Sequence, residues 1–184
     1  MQMSMADEVF AIFARRGAGA YFGERVSMTE HALQAAHFAQ LQSAPAWLVL
    51  AALLHDIGHL VVEVPADIGD WKTDGHHEEI GSRWLERRFS PEIARTVRLH
   101  VPAKRYLCAT DPDYSARLSP ASVITLKLQG GPMSAAGVTQ FETEPFYREA
   151  VRLRHWDDQG KVAGLRTPSL QQHRDLIEAL ASAA

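Results

Sequence analysis

The stretch "LLHDIGHL", residues 53–60, constrains this chain more than any other part of the sequence. It places His55 and Asp56 side by side in an apolar run with the pattern of a buried helix, and His59 follows one turn later. An imidazole and a carboxylate are costly to bury unless each has a partner. One metal ion beside the helix would satisfy both, and this pair of donors suits iron, manganese or zinc. A buried His–Asp hydrogen bond would do the same, so the pair alone leaves both interpretations open.

Capping and breaking signals divide the chain into helices almost throughout. Ser27 and Glu30 have the spacing of a capping box, Pro45 suits the first turn of a helix, and Ser-Pro steps at 90–91 and 119–120 open two more. The segment "VVEVP", residues 61–65, is the only candidate strand. The sequence therefore predicts an all-α fold.

Individual helix boundaries follow from the same signals. We expect one uninterrupted helix through "PAWLVLAALLHDIGHL", a helix from about His76 to Arg88, and another from Ser90 that closes at His100. A last helix should begin at Ser169 and pack on the outside of the domain.

Composition limits the classes of function. The 184 residues suit one domain, 1–184, and the net charge of −3 lacks the basic surplus of a nucleic-acid-binding protein. A single cysteine, Cys108, excludes an internal disulfide and a cysteine-based zinc site. The longest apolar stretch, residues 44–54, is too short to span a bilayer, and no signal-peptide pattern is present. We expect a cytoplasmic protein that binds neither nucleic acid nor membrane.

Histidine is unusually frequent, with nine residues. His31 follows the capping box, His77 opens a later helix, and His100 and Asp157 are expected near helix ends. Helix ends are positions from which side chains can converge on a cleft, but periodicity cannot establish that they do.

The order of these residues resembles a known family. His31, His55-Asp56 and Asp157 reproduce the "H…HD…D" signature of the HD-domain superfamily of metal-dependent enzymes, and His77 and His100 match members in which the HD aspartate bridges two metals. The stretches "YFGE", "AALLHDIGHL", "HEEIGSRWL", "KRYLCATDP", "SPASVITLKLQGGPM" and "AVRLRHWDD" resemble the HD-type di-iron oxygenases that degrade hydroxylated aminophosphonates. This likeness runs roughly from Tyr21 to Thr167 and implies a single HD-domain helical fold around a dinuclear metal site.

The resemblance implies two iron ions, held as a mixed-valent Fe(II)/Fe(III) pair, with O2 as co-substrate. One iron would take His31, His55, Asp56 and Asp157, and the other would take Asp56, His77 and His100. At two of these positions an adjacent residue of the same type could be the metal ligand instead, because His76 precedes His77 and Asp158 follows Asp157.

Substrate contacts are implied at seven further positions. The catalytic candidates are His59 and Lys104, and the other substrate-binding candidates are Tyr21, Glu24, Ser122, Thr125 and Gln129. His59 lies one helical turn after His55, and Lys104 lies one turn after His100, where an ammonium could bind a phosphonate. A satisfied core histidine and a solvated lysine are the alternatives.

The pair Tyr21 and Glu24 lies in a loop flanked by glycines. The resemblance implies a lid in which Tyr21 occupies a metal position when substrate is absent and Glu24 meets the cationic nitrogen of the substrate. The alternative is a packed tyrosine and a solvated glutamate.

The function implied by the resemblance is oxidative cleavage of a carbon–phosphorus bond. The substrate would be a 1-hydroxy-2-(amino or trimethylammonio)ethylphosphonate, and the products would be phosphate and glycine or glycine betaine. An HD-domain phosphohydrolase would use the same metal ligands to activate water. A non-catalytic, metal-stabilised ligand-binding HD domain and an inositol-oxygenase-like activity are further alternatives. The sequence leaves the oligomeric state open.

Overall fold

The computed structural model describes residues 3–62 and 75–182. This part of the chain is helical, as the sequence predicts. In chain order its α-helices are α1 (Met5–Arg16), α2 (Met28–Leu41), α3 (Ala46–Leu54), α4 (Ile57–Val61), α5 (His77–Glu86), α6 (Pro91–Thr110), α7 (Pro120–Leu128), α8 (Ala135–Phe141), α9 (Tyr147–Gln159) and α10 (Arg174–Leu180).

Strands are absent from the described residues, which contain only two isolated β-bridges, Ala20–Ser27 and Phe89–Ala181. The candidate strand at 61–65 is not observed where the structure can test it, because Val61 ends α4. Residues 63–65 lie outside the described part of the chain. None of the helices in the described ranges combines the length and apolar character that crossing a membrane requires.

The centre of the fold is the apolar helix α3, which is enclosed by α2, α6 and α9. Seven consecutive residues, Leu48–Leu54, are buried, so α3 is covered on every side, as expected for a helix that is apolar all round. Helix α6 packs between α5 and α9, and α2 packs on both α3 and α9. The histidine-bearing ends and faces of these helices therefore meet around one interior.

The prediction of a single helix through "PAWLVLAALLHDIGHL" is wrong. Helix α3 ends at Leu54, Asp56 has φ −100° and ψ 14°, and α4 begins at Ile57. His55 closes the end of α3 by donating from Nδ1 to the carbonyl of Ala52 at 2.8 Å. The break changes the direction of the chain at the two polar residues and turns both side chains towards the interior.

The prediction that a helix closes at His100 is also wrong. Helix α6 continues to Thr110 with Pro102 inside it. Proline removes a backbone donor and disfavours a helical residue before it, so the local preference at this position is against a continuous helix. Burial on both sides of Pro102 compensates, since Leu99, Val101 and Ala103 are all buried. Helix α8, which was not predicted although Ser134 caps its start, also packs on α6.

The last predicted helix starts as a 3-10 turn, Leu170–His173, before α10 begins. It lies on the outside as expected, since Asp175, Glu178 and Ala179 are exposed and Ile177 is buried where α10 packs against α1 and α3.

A close contact between α4 and α5 depends on Gly58. A Cβ added to Gly58 would lie 2.0 Å from the carbonyl oxygen of His77, and Gly81 faces the same contact from α5. Only glycine fits such an approach. The glycine of "HDIGH" therefore sets how near His77 comes to Asp56.

Candidate metal centre

Six buried His and Asp side chains from five parts of the fold meet in the interior. They are His31 on α2, His55 and Asp56 at the break between α3 and α4, His77 at the start of α5, His100 in the middle of α6, and Asp157 near the end of α9. These are the six positions predicted as metal ligands, and each is less than 8% exposed.

One half of this group surrounds the Nε2 atoms of His31 and His55, which lie 3.0 Å apart. Asp56 Oδ2 lies 3.6 Å from Nε2 of His31 and 3.4 Å from Nε2 of His55. Asp157 Oδ1 approaches the same two nitrogens, at 3.4 and 3.9 Å. Four donor atoms therefore face one point.

The other half surrounds the second oxygen of Asp56. Asp56 Oδ1 lies 3.3 Å from Nε2 of His77 and 3.6 Å from Nε2 of His100, and these two nitrogens are 3.0 Å apart. His59 also offers a ligand atom within 4.8 Å of those of Asp56 and His77. Its ring stacks on that of His77, with centroids 3.9 Å apart. Asp56 thus presents one oxygen to each half, as a bridging carboxylate would.

Hydrogen bonds to backbone carbonyls select the histidine tautomers. Nδ1 of His31 contacts the carbonyl of Gly160 at 2.8 Å, and Nδ1 of His100 contacts that of Val97 at 2.6 Å. His55 makes the equivalent bond to Ala52. Each Nδ1 must carry the proton to donate, so the Nε2 of a neutral ring presents a lone pair to the interior. Lone pairs that face each other at 3.0 Å need a proton or a metal ion between them, and metal-bound histidines are commonly held in this way.

Two buried carboxylate oxygens fit the same interpretation. Oδ2 of Asp56 and Oδ1 of Asp157 have no hydrogen-bond partner, although each faces the histidine nitrogens. Arg154 Nη1 donates to the other oxygen of Asp157 at 2.7 Å and leaves Oδ1 directed at the centre. Buried polar atoms without partners are rare in native proteins. The donor set therefore fits a pair of metal ions.

The interactions among these buried side chains favour the ionised form of the carboxylates. Burial alone would raise the pKa of Asp56, but His55, His100 and His77 hold it well below its usual value. Burial would lower the pKa of His55, yet the charge of Asp56 raises it to about 9. The carboxylates are thus ionised where they face the imidazoles.

A cavity of about 40 Å³ adjoins the metal ligands on one side. Its lining includes all the predicted substrate-binding residues except Glu24, and it also includes Phe22, Val101 and Arg154. Lys104 is buried and donates to Thr125 Oγ1 at 2.9 Å. Burial and the neighbouring charge of Arg154 lower the pKa of Lys104 to about 7. Lys104 is therefore a buried amine beside the metal ligands, and the solvated-lysine alternative is wrong.

The loop between α1 and α2 covers this cavity. The Tyr21 ring stacks on His31 with centroids 3.8 Å apart, and Phe22 meets His59 edge to face. Burial and the charges of Asp56 and Asp157 raise the pKa of the Tyr21 hydroxyl. The loop is tied by backbone hydrogen bonds from Tyr21 to Val26 and by the Ala20–Ser27 bridge, so it has more anchors than its glycines suggested.

Two residues that support the site, Arg154 and Tyr114, were not singled out from the sequence. Arg154 bonds Asp157, Asp158 and the hydroxyl of Tyr114, and all of these are at least partly buried. Asp158 is used in this network and does not face the histidines, so it is Asp157 that reaches the centre. The signal available was the spacing of Arg154 three and four residues before the two aspartates, which places them on one helix face.

Glu24 does not line the cavity and lies beside Lys161, a residue that no motif singled out. Nζ of Lys161 is 3.9 Å from Glu24 Oε1 and 3.0 Å from Ser122 Oγ. His76, the rival to His77, has a largely exposed side chain and pairs with Glu78. The assignment of individual residues as ligands or substrate contacts stays a prediction.

Comparison with known proteins places this arrangement in a family. A family model described as "HD domain" matches residues 28–132. The [1-hydroxy-2-(trimethylamino)ethyl]phosphonate dioxygenase (glycine-betaine-forming) of Leisingera caerulea is 43% identical over 95% of this chain and 89% of its own length. The hydroxymethylphosphonate dioxygenase of Gimesia maris is 43% identical over 86% of this chain and 79% of its own length. The chain therefore belongs to the HD-domain family and, within it, to the group that contains these phosphonate dioxygenases.

Proposed function

We propose that the protein is an iron- and O2-dependent oxygenase that cleaves the carbon–phosphorus bond of a 1-hydroxyphosphonate. The candidate substrates are 1-hydroxy-2-(amino or trimethylammonio)ethylphosphonates, which would yield phosphate and glycine or glycine betaine. The observation that carries the proposal is the shared carboxylate of Asp56, which faces two sets of histidines at the edge of a cavity that also holds a buried lysine.

The relatives support the substrate class. Both are named dioxygenases of a hydroxylated phosphonate, and their names differ only in what the hydroxylated carbon carries besides hydrogen. Both substrates contain the two groups that this cavity can address, a hydroxyl next to the metal ligands and a phosphonate next to Lys104.

The reaction balances with O2 as the sole oxidant. A phosphonate R–CH(OH)–PO3H2 and O2 give R–COOH and H3PO4, so the C–H and C–P bonds at C1 break and each product gains one oxygen atom. When bound, the metal pair supplies the redox and Lewis-acid chemistry that O2 activation needs.

The side chains of the protein position the substrate for this reaction. Lys104, with Ser122 and Thr125, offers one positive charge and two hydroxyls to phosphonate oxygens. Arg154 holds Asp157 so that a single oxygen faces the centre. Tyr21 and Phe22 cover the histidines and limit the access of water.

An HD phosphohydrolase is the main alternative, and phosphate release separates it from the oxygenase. Iron-loaded protein should release phosphate from 1-hydroxyphosphonates in air and not under argon. An analogue with a methyl group in place of the C1 hydrogen should bind and release none. Turnover of a phosphate ester at a comparable rate under argon would establish the hydrolase. Binding of hydroxyphosphonates without phosphate release under either condition would favour the non-catalytic alternative.

A further inference from the structure

Lys161 brings a second ammonium group next to Ser122, one of the residues that line the cavity. It follows α9 directly, and only 11% of its side chain is exposed. Its Nζ donates to Ser122 Oγ at 3.0 Å and lies 3.9 Å from both Glu24 Oε1 and Asp158 Oδ1. Lys161 therefore stands between the proposed phosphonate end of the cavity and Glu24.

Of these two carboxylates, Asp158 already has a closer cation. Arg154 donates to both oxygens of Asp158, and the Tyr114 hydroxyl donates to Oδ2 at 2.5 Å. Glu24 is different, because its Oε1 is buried and accepts no hydrogen bond. At 3.9 Å and in partial burial, the ammonium of Lys161 compensates the charge of Glu24.

We propose that Lys161 determines substrate specificity, and that it lowers the preference of the enzyme for phosphonates with a cationic substituent. This inference rests on the proposed function. A substrate ammonium directed at Glu24 must compete with the resident ammonium of Lys161 for one carboxylate. A substrate without that charge does not meet this repulsion.

The chemistry of the cationic substituent makes the expected effect of Lys161 more specific. A trimethylammonium group has no N–H to donate, so charge attraction is its main means of competing with Lys161. Like charges placed together at a binding interface are strongly unfavourable. Removal of the Lys161 charge should therefore improve substrates with a cationic substituent and leave one without that substituent nearly unaffected.

The test compares two substrates, 1-hydroxy-2-(trimethylamino)ethylphosphonate and hydroxymethylphosphonate. The measured quantity is the ratio of their kcat/KM values in iron-loaded protein. Lys161→Met should raise this ratio in favour of the cation by about tenfold or more. Lys161→Arg keeps the charge and should stay near the original ratio. Lys127→Met, which removes an exposed charge from α7, serves as the matched control and should leave the ratio unchanged.

An unchanged ratio of kcat/KM values in Lys161→Met would overturn the inference. If kcat/KM falls equally for both substrates, Lys161 is instead a ligand of the phosphonate group. Calorimetric binding of both compounds to iron-loaded protein under argon gives the same ratio without turnover. If the protein releases phosphate from neither compound in air, the proposed function fails, while a tenfold change in the binding ratio would still establish the role of Lys161.

Discussion

The two sides of the site are held in different ways. On the metal side, three of the four histidines are oriented by bonds from Nδ1 to a backbone carbonyl, and two inward-facing carboxylate oxygens, Asp56 Oδ2 and Asp157 Oδ1, lack partners. On the substrate side, the two ammonium groups are held by side-chain hydroxyls, Lys104 by Thr125 and Lys161 by Ser122.

The difference indicates how each side responds to its ligand. Backbone bonds hold the lone pairs in place before a metal arrives, so that little has to be reorganised when it binds. Side-chain pairs such as Lys104–Thr125 can exchange one partner for a phosphonate oxygen without moving the backbone. The metal side is preorganised, and the substrate side is adaptable.

The largest effect should come from substituting Asp56, the residue that the two halves of the metal side share. Asp56→Ala removes one oxygen from each half, so both metals and all activity should be lost, as measured by metal analysis of purified protein. Asp113→Ala removes an exposed carboxylate and should retain the full metal content. If Asp56→Ala still binds two metals, Asp56 is not a bridge.

Breaking the substrate side at Lys104 should leave the metal side intact. A charge-assisted hydrogen bond is worth about 1.5–3 kcal/mol, so Lys104→Met should weaken phosphonate binding by roughly ten- to a hundredfold with normal metal content. Unchanged affinity would remove Lys104 from the binding site.

The pH dependence of binding tests the same lysine. Because the pKa of Lys104 is lowered to about 7, the charged form is lost as pH rises through 7, and phosphonate affinity should fall over that range. Calorimetric titrations between pH 6 and about 8.5 should show this step. It should be absent in Lys104→Met, and a step of the same size in the variant would assign the titration to another group.

The close contact between α4 and α5, which brings His77 near Asp56, can be tested at Gly58. Gly58→Ala places a Cβ against the carbonyl of His77, and overpacking of this kind costs about 1–3 kcal/mol of the free energy of unfolding. The metal held by His77 and His100 should be lost before the other. Gly137→Ala, also in a helix and with only ordinary contacts, is the control for denaturation measurements. Equal stability of the two variants would show that α4 and α5 can separate freely.

The smallest effect is expected at Tyr21, where the two sides meet. Tyr21→Phe keeps the ring that stacks on His31 and removes the hydroxyl, so folding and metal content should stay normal. If the phenol binds a ferric ion in the resting protein, the variant should lose a visible absorption band. An identical spectrum would make Tyr21 a packing residue only.

Much of the fold could be predicted because its signals are local. Caps at Ser27 and Ser119, with the apolar periodicity between them, were sufficient for an all-α chain. The points at which a helix ends or continues were harder to predict from the sequence. Helix α6 continues through Pro102 because its contacts with α5 and α9 outweigh the preference of proline to end a helix. Contacts between distant helices cannot be predicted from the residues next to Pro102.

By itself, the sequence determined the helical class and the types of side chain available to a metal, because both are properties of short segments and of residue identity. The tertiary structure decided which of them meet. Asp157 and not Asp158 faces the histidines because Arg154 and Tyr114 engage Asp158. Lys161 reaches Glu24 across 137 positions of the chain, which no local pattern could specify. Convergence depends on the packing of distant helices, and only the folded chain brings those helices together.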